Sequence, residues 1–129
     1  MSDAPSGRLT LGRDKRLRSS NDFARIKNQG ERLVRGCLIL NWIKREEGGV
    51  SRLGVVTSKR IGNAVIRSRA RRLMREVFRL HQNEFVEPLE MVLIARRSIA
   101  EKKLADVERV FLKLASQAGV IAQQQKPNE

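Results

Sequence analysis

The 129-residue chain has no tyrosine, one tryptophan, one cysteine, one histidine and three prolines. It is also short of acid, with 14 Asp and Glu against 27 Lys and Arg. Each shortage closes off a class of chemistry. A lone cysteine, Cys37, excludes an intramolecular disulfide, and within the apolar run "CLILNWI" it reads as a small core residue of a reducing compartment. A lone histidine, His81, excludes a two-histidine ribonuclease mechanism within one chain and reads as a helix-end or packing residue. No run of 18 apolar residues exists to cross a bilayer, and the N-terminal segment lacks the apolar core of a secretory signal, so a cytoplasmic protein is expected. No nucleotide-cradling Gly-rich loop occurs. The acids of "EEGG", with Glu84, Glu87 and Glu90, are too scattered for a two-metal carboxylate cluster. No Ser or Cys nucleophile motif is present either. The chain itself is therefore expected to hold no catalytic residue, no metal and no small-molecule substrate.

What it holds instead is positive charge. The formal net charge is +13 and the sequence pI is near 11.3. Such an excess repels itself in a folded monomer, and a polyanionic partner relieves the repulsion. Arg outnumbers Lys, and its planar fork suits phosphate oxygens and base stacking, which favours nucleic acid over an anionic membrane surface. With 40% hydrophobic residues, the length is enough for one domain with a single modest core.

Patterning along the chain gives an α+β order. Residues 1–17 lack periodicity and are expected to form a flexible basic arm. A short helix is expected over 21–29, with a Ser or Asn cap and a stop at Gly30. "ERLVRG", "CLILNWIKR" and "SRLGVVTS" read as strands, the last two joined across "EEGG". A long helix begins near Ala64 with Asn63 as its cap, and "LEMVLIAR" reads as another strand. "SIAEKKLADVERVFLKLASQAG" reads as a second long helix, capped near Ser98 and closed by Gly119. Its Leu104, Val107, Val110, Phe111 and Leu114 are spaced to face a core. Residues 120–129 read as a polar tail, leaving 18–119 as one domain: one sheet with helices packed on it.

The charge is concentrated in "KRIGNAVIRSRARRLMREVFR", Lys59 to Arg79, where eight of 21 residues are Lys or Arg and only Glu76 opposes them. On a helical wheel Ile66, Ala70, Leu73, Met74, Val77 and His81 share one arc, with Phe78 just beyond it. Arg67, Arg71, Arg72, Arg75 and Arg79 share the adjoining arc with Ser68, and Arg69 lies farther round near Glu76. The apolar arc anchors the helix and thereby aims the arginines outward as a ridge suited to phosphates. The preceding loop adds Lys59, Arg60 and a tight turn at Gly62 just before the helix N-terminus.

This stretch closely resembles the signature of the bacterial ribonuclease P protein subunit. "RLRSSNDFARIKNQGER" resembles that family's opening helix, "RLGVVTSKR" its third strand and "VLIARRSIA" the strand after the basic helix. One departure is Ser68, where the family usually has Asn; others are Lys27 and Asn41, at positions where it tends to place aromatics. The resemblance implies an α+β fold related to a ribosomal-protein domain, with one mixed sheet and a left-handed βαβ crossover. It further implies a partner, a large catalytic RNA that uses Mg²⁺ to cleave precursor tRNA at the mature 5′ end. The protein would support that RNA's fold and bind the single-stranded 5′ leader. Lys59, Arg60, Asn63, Arg67, Ser68, Arg69, Arg71, Arg72 and Arg75 are then the RNA-binding candidates. Strand alternation puts Ile39 and Asn41 on one face, with Val56 and Phe23, as the leader-groove candidates. The alternatives are a non-catalytic structured-RNA-binding or ribosomal-type protein, and a membrane binder, which would need Phe78 exposed.

Overall fold

The computed structural model describes Gly12, residues 15–17 and residues 19–122. Three helices and a four-stranded mixed sheet alternate along the chain. Helix α1 (Ser20–Gln29) is capped by Ser19, whose hydroxyl accepts from the Asp22 N–H, and it stops where the Gly30 N–H donates back to the Ile26 carbonyl. Strands β1 (Glu31–Arg35) and β2 (Leu38–Lys44) form an antiparallel hairpin turned at Gly36, whose φ of 53° favours glycine. Strand β3 (Arg52–Val56), helix α2 (Ala64–His81) and strand β4 (Leu89–Ala95) follow. β4 enters the sheet between β2, antiparallel to it, and β3, parallel to it, giving the order β1-β2-β4-β3. Because β3 and β4 are parallel neighbours, α2 is the crossover of a βαβ unit. Helix α3 (Leu104–Ala118) closes the fold, ending at Gly119 in the left-handed region with φ 78°.

Side-chain alternation sorts the sheet into two unlike faces. Leu40, Trp42, Leu53, Met91 and Leu93 point to the side where α2 supplies Met74, Val77 and Phe78 and α3 supplies Val107, Phe111 and Leu114. This is the main core, and Cys37 lies in it fully buried, its thiol pKa pushed up by burial. The opposite face is only partly covered. There α1 lays Ile26 on Val92 together with Leu17, while Phe23, Ile43, Val56 and Ile94 stay half-buried.

Two expectations about extent change. The second long helix does not begin near Ser98. Residues Arg97–Glu101 form a separate 3-10 turn, Ile99 drops fully into the core, and Lys102 and Lys103 are extended before α3 starts. The start is fixed by Asp106, whose carboxylate accepts from the Lys103 N–H at 3.0 Å. Packing also reaches past both boundaries assigned to the domain. Leu17 is buried and donates its N–H to the Leu53 carbonyl, extending the β3 edge, while Val120 and Ile121 are buried and Ile121 bridges to Phe85. Residues 1–11, 13 and 14 of the expected N-terminal arm and the tail from 123 onward lie outside the described residues. Among the described residues no helix is long and apolar enough to cross a membrane.

Candidate nucleic-acid interface

Helix α2 is held down by its apolar arc and by its cap. Ala70, Met74, Val77 and Phe78 are buried, and the Asn63 carboxamide oxygen accepts from the Ile66 N–H at 2.9 Å. That settles the orientation of everything else on the helix. Arg67 donates across the helix start to the Gly62 carbonyl at 2.7 Å, and Arg71 donates to the Thr57 hydroxyl at 2.7 Å. Each bond uses one of five guanidinium donors and fixes the plane in which the rest are presented. Arg72 and Ser68 stand exposed between them, and Lys59 and Arg60 are exposed on the Lys59–Ile61 turn. Arg69 does not join this line. It points to the other flank, donating to the Lys102 carbonyl at 2.6 Å.

The acids do not neutralise the ridge. Glu76, the one acid of α2, is taken by Arg79 through two bonds of 3.0 and 2.6 Å, which hold its carboxyl below the usual range. Among the described residues, none of Arg67, Arg71, Arg72 and Arg75 is ion-paired with an acid. Arg75 is half-buried, and its pKa is driven down first by desolvation and then by the neighbouring charges of Arg16 and Arg71. Among the described residues, the guanidinium groups of Arg16, Arg71 and Arg75 thus share one neighbourhood without a paired acid, an arrangement that costs free energy until an anion arrives.

The half-open sheet face supplies a groove beside the ridge. Phe23, Ile39 and Val56 share this face, with Ile94 between the last two, since Ile94 pairs in register with both Ile39 and Val56. Its outer edge is Val34, 50% exposed on β1. The Phe23 ring approaches Gly54, where a Cβ would meet ring carbons Cζ at 2.5 Å and Cε1 at 2.6 Å; the glycine is what lets the ring come so close to β3. A shallow cavity of about 290 Å³, lined by Arg16, Leu17, Phe23, Gly54 and Arg75 among others, joins this end of the groove to the ridge.

Asn41 departs from its expected place in the groove. It lies on the correct face, but it is only 3% exposed, and its amide donates to the Ile26 carbonyl at 3.2 Å and the Glu31 carbonyl at 2.7 Å. It ties the end of α1 to the start of β1, so the amide is committed to the fold. Nearby, buried Glu90 accepts from Arg25 of α1 at 2.6 Å and lies 3.6 Å from Arg52, clamping α1 to the sheet. The Glu90 bond, then that to Asp22, raises the Arg25 pKa.

Arg16, Gly54 and Ile94 are not singled out by the sequence pattern. Ile94 was within reach of the same alternation argument; Arg16 was not, because nothing local links residues 15–17 to the β3 edge. His81 is a structural staple, with Nδ1 2.5 Å from Glu84 and Nε2 2.6 Å from Glu108. Among the described residues no three His, Cys, Asp or Glu side chains group to hold a metal ion.

The Ribonuclease P family model matches residues 11–119. The ribonuclease P protein component of Clostridium beijerinckii is 32% identical over 111 residues, covering 81% of this chain and 89% of that protein. That of Dictyoglomus thermophilum is 29% identical, covering 92% and 99%. Among solved structures, the Staphylococcus aureus RNase P protein superposes with a TM-score of 0.77 at 25% identity, covering 84% of this chain and 98% of that one. The Thermotoga maritima RNase P protein gives 0.69 at 28% identity, covering 77% and 93%.

Proposed function

This chain belongs to the Ribonuclease P family, and on that premise we propose that it is the protein subunit of a ribonuclease P holoenzyme. Its partner is a catalytic RNA, with which it cleaves precursor tRNA to leave the mature 5′ end. The observation that carries this reading is the adjacency of two surfaces: an arginine ridge, Arg67, Arg71, Arg72 and Arg75, with no paired acid among the described residues, and a half-open apolar groove beside Phe23.

The division of labour follows from the side chains. Arg67, Arg71, Arg72 and Arg75, assisted by Lys59 and Arg60, hold phosphates of the RNA subunit near the cleavage site, and exposed Ser68 sits among them. Asn63 contributes by fixing the helix start, its oxygen being spent on the Ile66 N–H. A single-stranded 5′ leader crosses the groove over Ile39, Val56 and Ile94, with Phe23 offering an aromatic edge at one end. Hydrolysis belongs to the RNA with Mg²⁺; this chain's residues orient and neutralise. Buried Phe78 speaks against the membrane-binding alternative, which needed it exposed.

The test is cleavage of a 5′-extended precursor tRNA at low Mg²⁺ by a bacterial ribonuclease P RNA, with and without the protein. Protein-dependent cleavage at the mature 5′ end, absent with protein alone, is the expected result. Salt-sensitive RNA binding without stimulation, for a cognate RNA as well, would leave a general structured-RNA-binding protein instead.

A further inference from the structure

Arg69 points away from the ridge, toward a second group of cations that the proposed function does not use. Its guanidinium reaches the Lys102 carbonyl, in the extended link between the Arg97–Glu101 turn and α3. That turn also packs against the Lys59–Ile61 turn ahead of α2. Two segments some forty residues apart in sequence are therefore folded together on one side of the α2 N-terminus. The later segment so placed carries exposed Arg97 and Lys103 and half-buried Lys102, and Arg69 is bonded to its backbone.

Few acids oppose this group. Asp106 is spent on the Lys103 N–H, lies 3.5 Å from Arg109 and also feels the charge of Lys102, while Glu76, two turns along the same helix face from Arg69, is held by Arg79. Exposed Glu101 is the remaining acid of the turn. The segment 96–103 thus carries Arg96, Arg97, Lys102 and Lys103 against Glu101, a net of three positive charges in eight residues. Arg96 is anchored, its Nη1 donating to the Gly36 carbonyl at 3.1 Å, so the turn is fastened to the β1–β2 hairpin. Local order of this kind matters for phosphate binding, because less side-chain and backbone freedom is given up when the anion docks.

The two cationic sides of α2 face differently. Arg67, Arg71 and Arg75 lean toward β3 and the groove, as the bond to Thr57 and the proximity to Arg16 require. Arg69 leans toward α3. We propose that Arg97, Lys102 and Lys103, carried on the segment to which Arg69 is bonded, form with it a second phosphate-binding flank of α2 that grips a different backbone element of the structured RNA from the one on the Arg67–Arg71–Arg75 side. The helix N-terminus then sits in a crease between two RNA elements, and the protein acts as a wedge that fixes their relative placement. This inference rests on the ribonuclease P reading, since it names a further surface for the same RNA partner.

The experiment compares Arg97→Gln/Lys103→Gln with a control of equal charge loss, Lys44→Gln/Lys113→Gln. Association with a bacterial ribonuclease P RNA is measured from about 0.1 to 0.4 M KCl, with thermal unfolding as a check on folding. The expected result is an affinity reduced roughly tenfold or more at the lower salt. The log–log salt slope should be shallower by about one to two units, since each phosphate no longer neutralised removes about 0.9 from it. The control should change affinity less than about threefold. In cleavage, the flank variant should be impaired equally on full-leader and leaderless precursors, because the flank lies off the groove. A flank variant indistinguishable from the control in affinity and slope overturns the inference while leaving the function standing. A wild-type chain that neither binds this RNA nor stimulates it overturns both.

Discussion

Gly54 and Phe23 show how one missing side chain shapes a surface. The ring occupies the space a Cβ would fill, at 2.5 Å. Gly54→Ala should push Phe23 off β3 and cost about 1–3 kcal/mol of stability, read as a lower urea midpoint. The same variant should lose part of the protein's advantage for leader-bearing over leaderless precursor, measured as the ratio of their cleavage rates. An unchanged ratio would separate Phe23 from leader binding. Arg75 makes a different argument. Its charge is disfavoured by burial and by Arg16 and Arg71, so Arg75→Gln should leave the free protein as stable as wild type or more so. RNA affinity should nevertheless fall by roughly tenfold, the effect at moderate salt of leaving about one phosphate without its cation. A side chain that harms the isolated fold and serves the complex is the signature of a binding residue.

At the scale of elements, α2 and α3 meet at His81. Burial disfavours the imidazolium, but hydrogen bonds and charges from Glu84 and Glu108 outweigh it, and the pKa rises above 6.5. A raised folded-state pKa means that protonation stabilises the native state. The contribution is complete below about pH 6.5 and is lost as the pH climbs through the higher folded value. The stability difference between wild type and His81→Gln should therefore be larger at about pH 5.5 than at about pH 8.5, measured by urea unfolding. A difference that does not vary with pH would remove the charged staple. α2 itself was legible in advance, because a 3.6-residue apolar period with a cap at Asn63 needs no partner to be recognised. The start of α3 was not. Ser98 looks like a cap, yet Ile99 is drawn into the core, and burying it requires a 3-10 turn there followed by the extended Lys102–Lys103 link.

Over the whole molecule the net charge of +13 dominates. Salt should act in opposite senses on the two states. Raising NaCl from about 20 to 300 mM should raise the free protein's Tm by screening self-repulsion, and should weaken its RNA complex by counterion competition. The amino-acid order alone determined the α+β order of elements, the basic ridge of α2, the polyanionic partner and the family, since these depend on local periodicity, local charge and a short dense motif. It also put Ile39 and Asn41 on one face of their strand, because alternation is a local property of strands, whereas Val56 of β3 and Phe23 of α1 reach that face through sheet pairing and helix packing. Tertiary packing decided how far each of those residues is covered. Asn41 is sealed because the end of α1 and the start of β1 converge on its amide, while Ile39 and Val56 stay half-buried. It likewise brought Arg16 to Arg75 and Lys102 to Arg69, across chain separations over which no local pattern carries information.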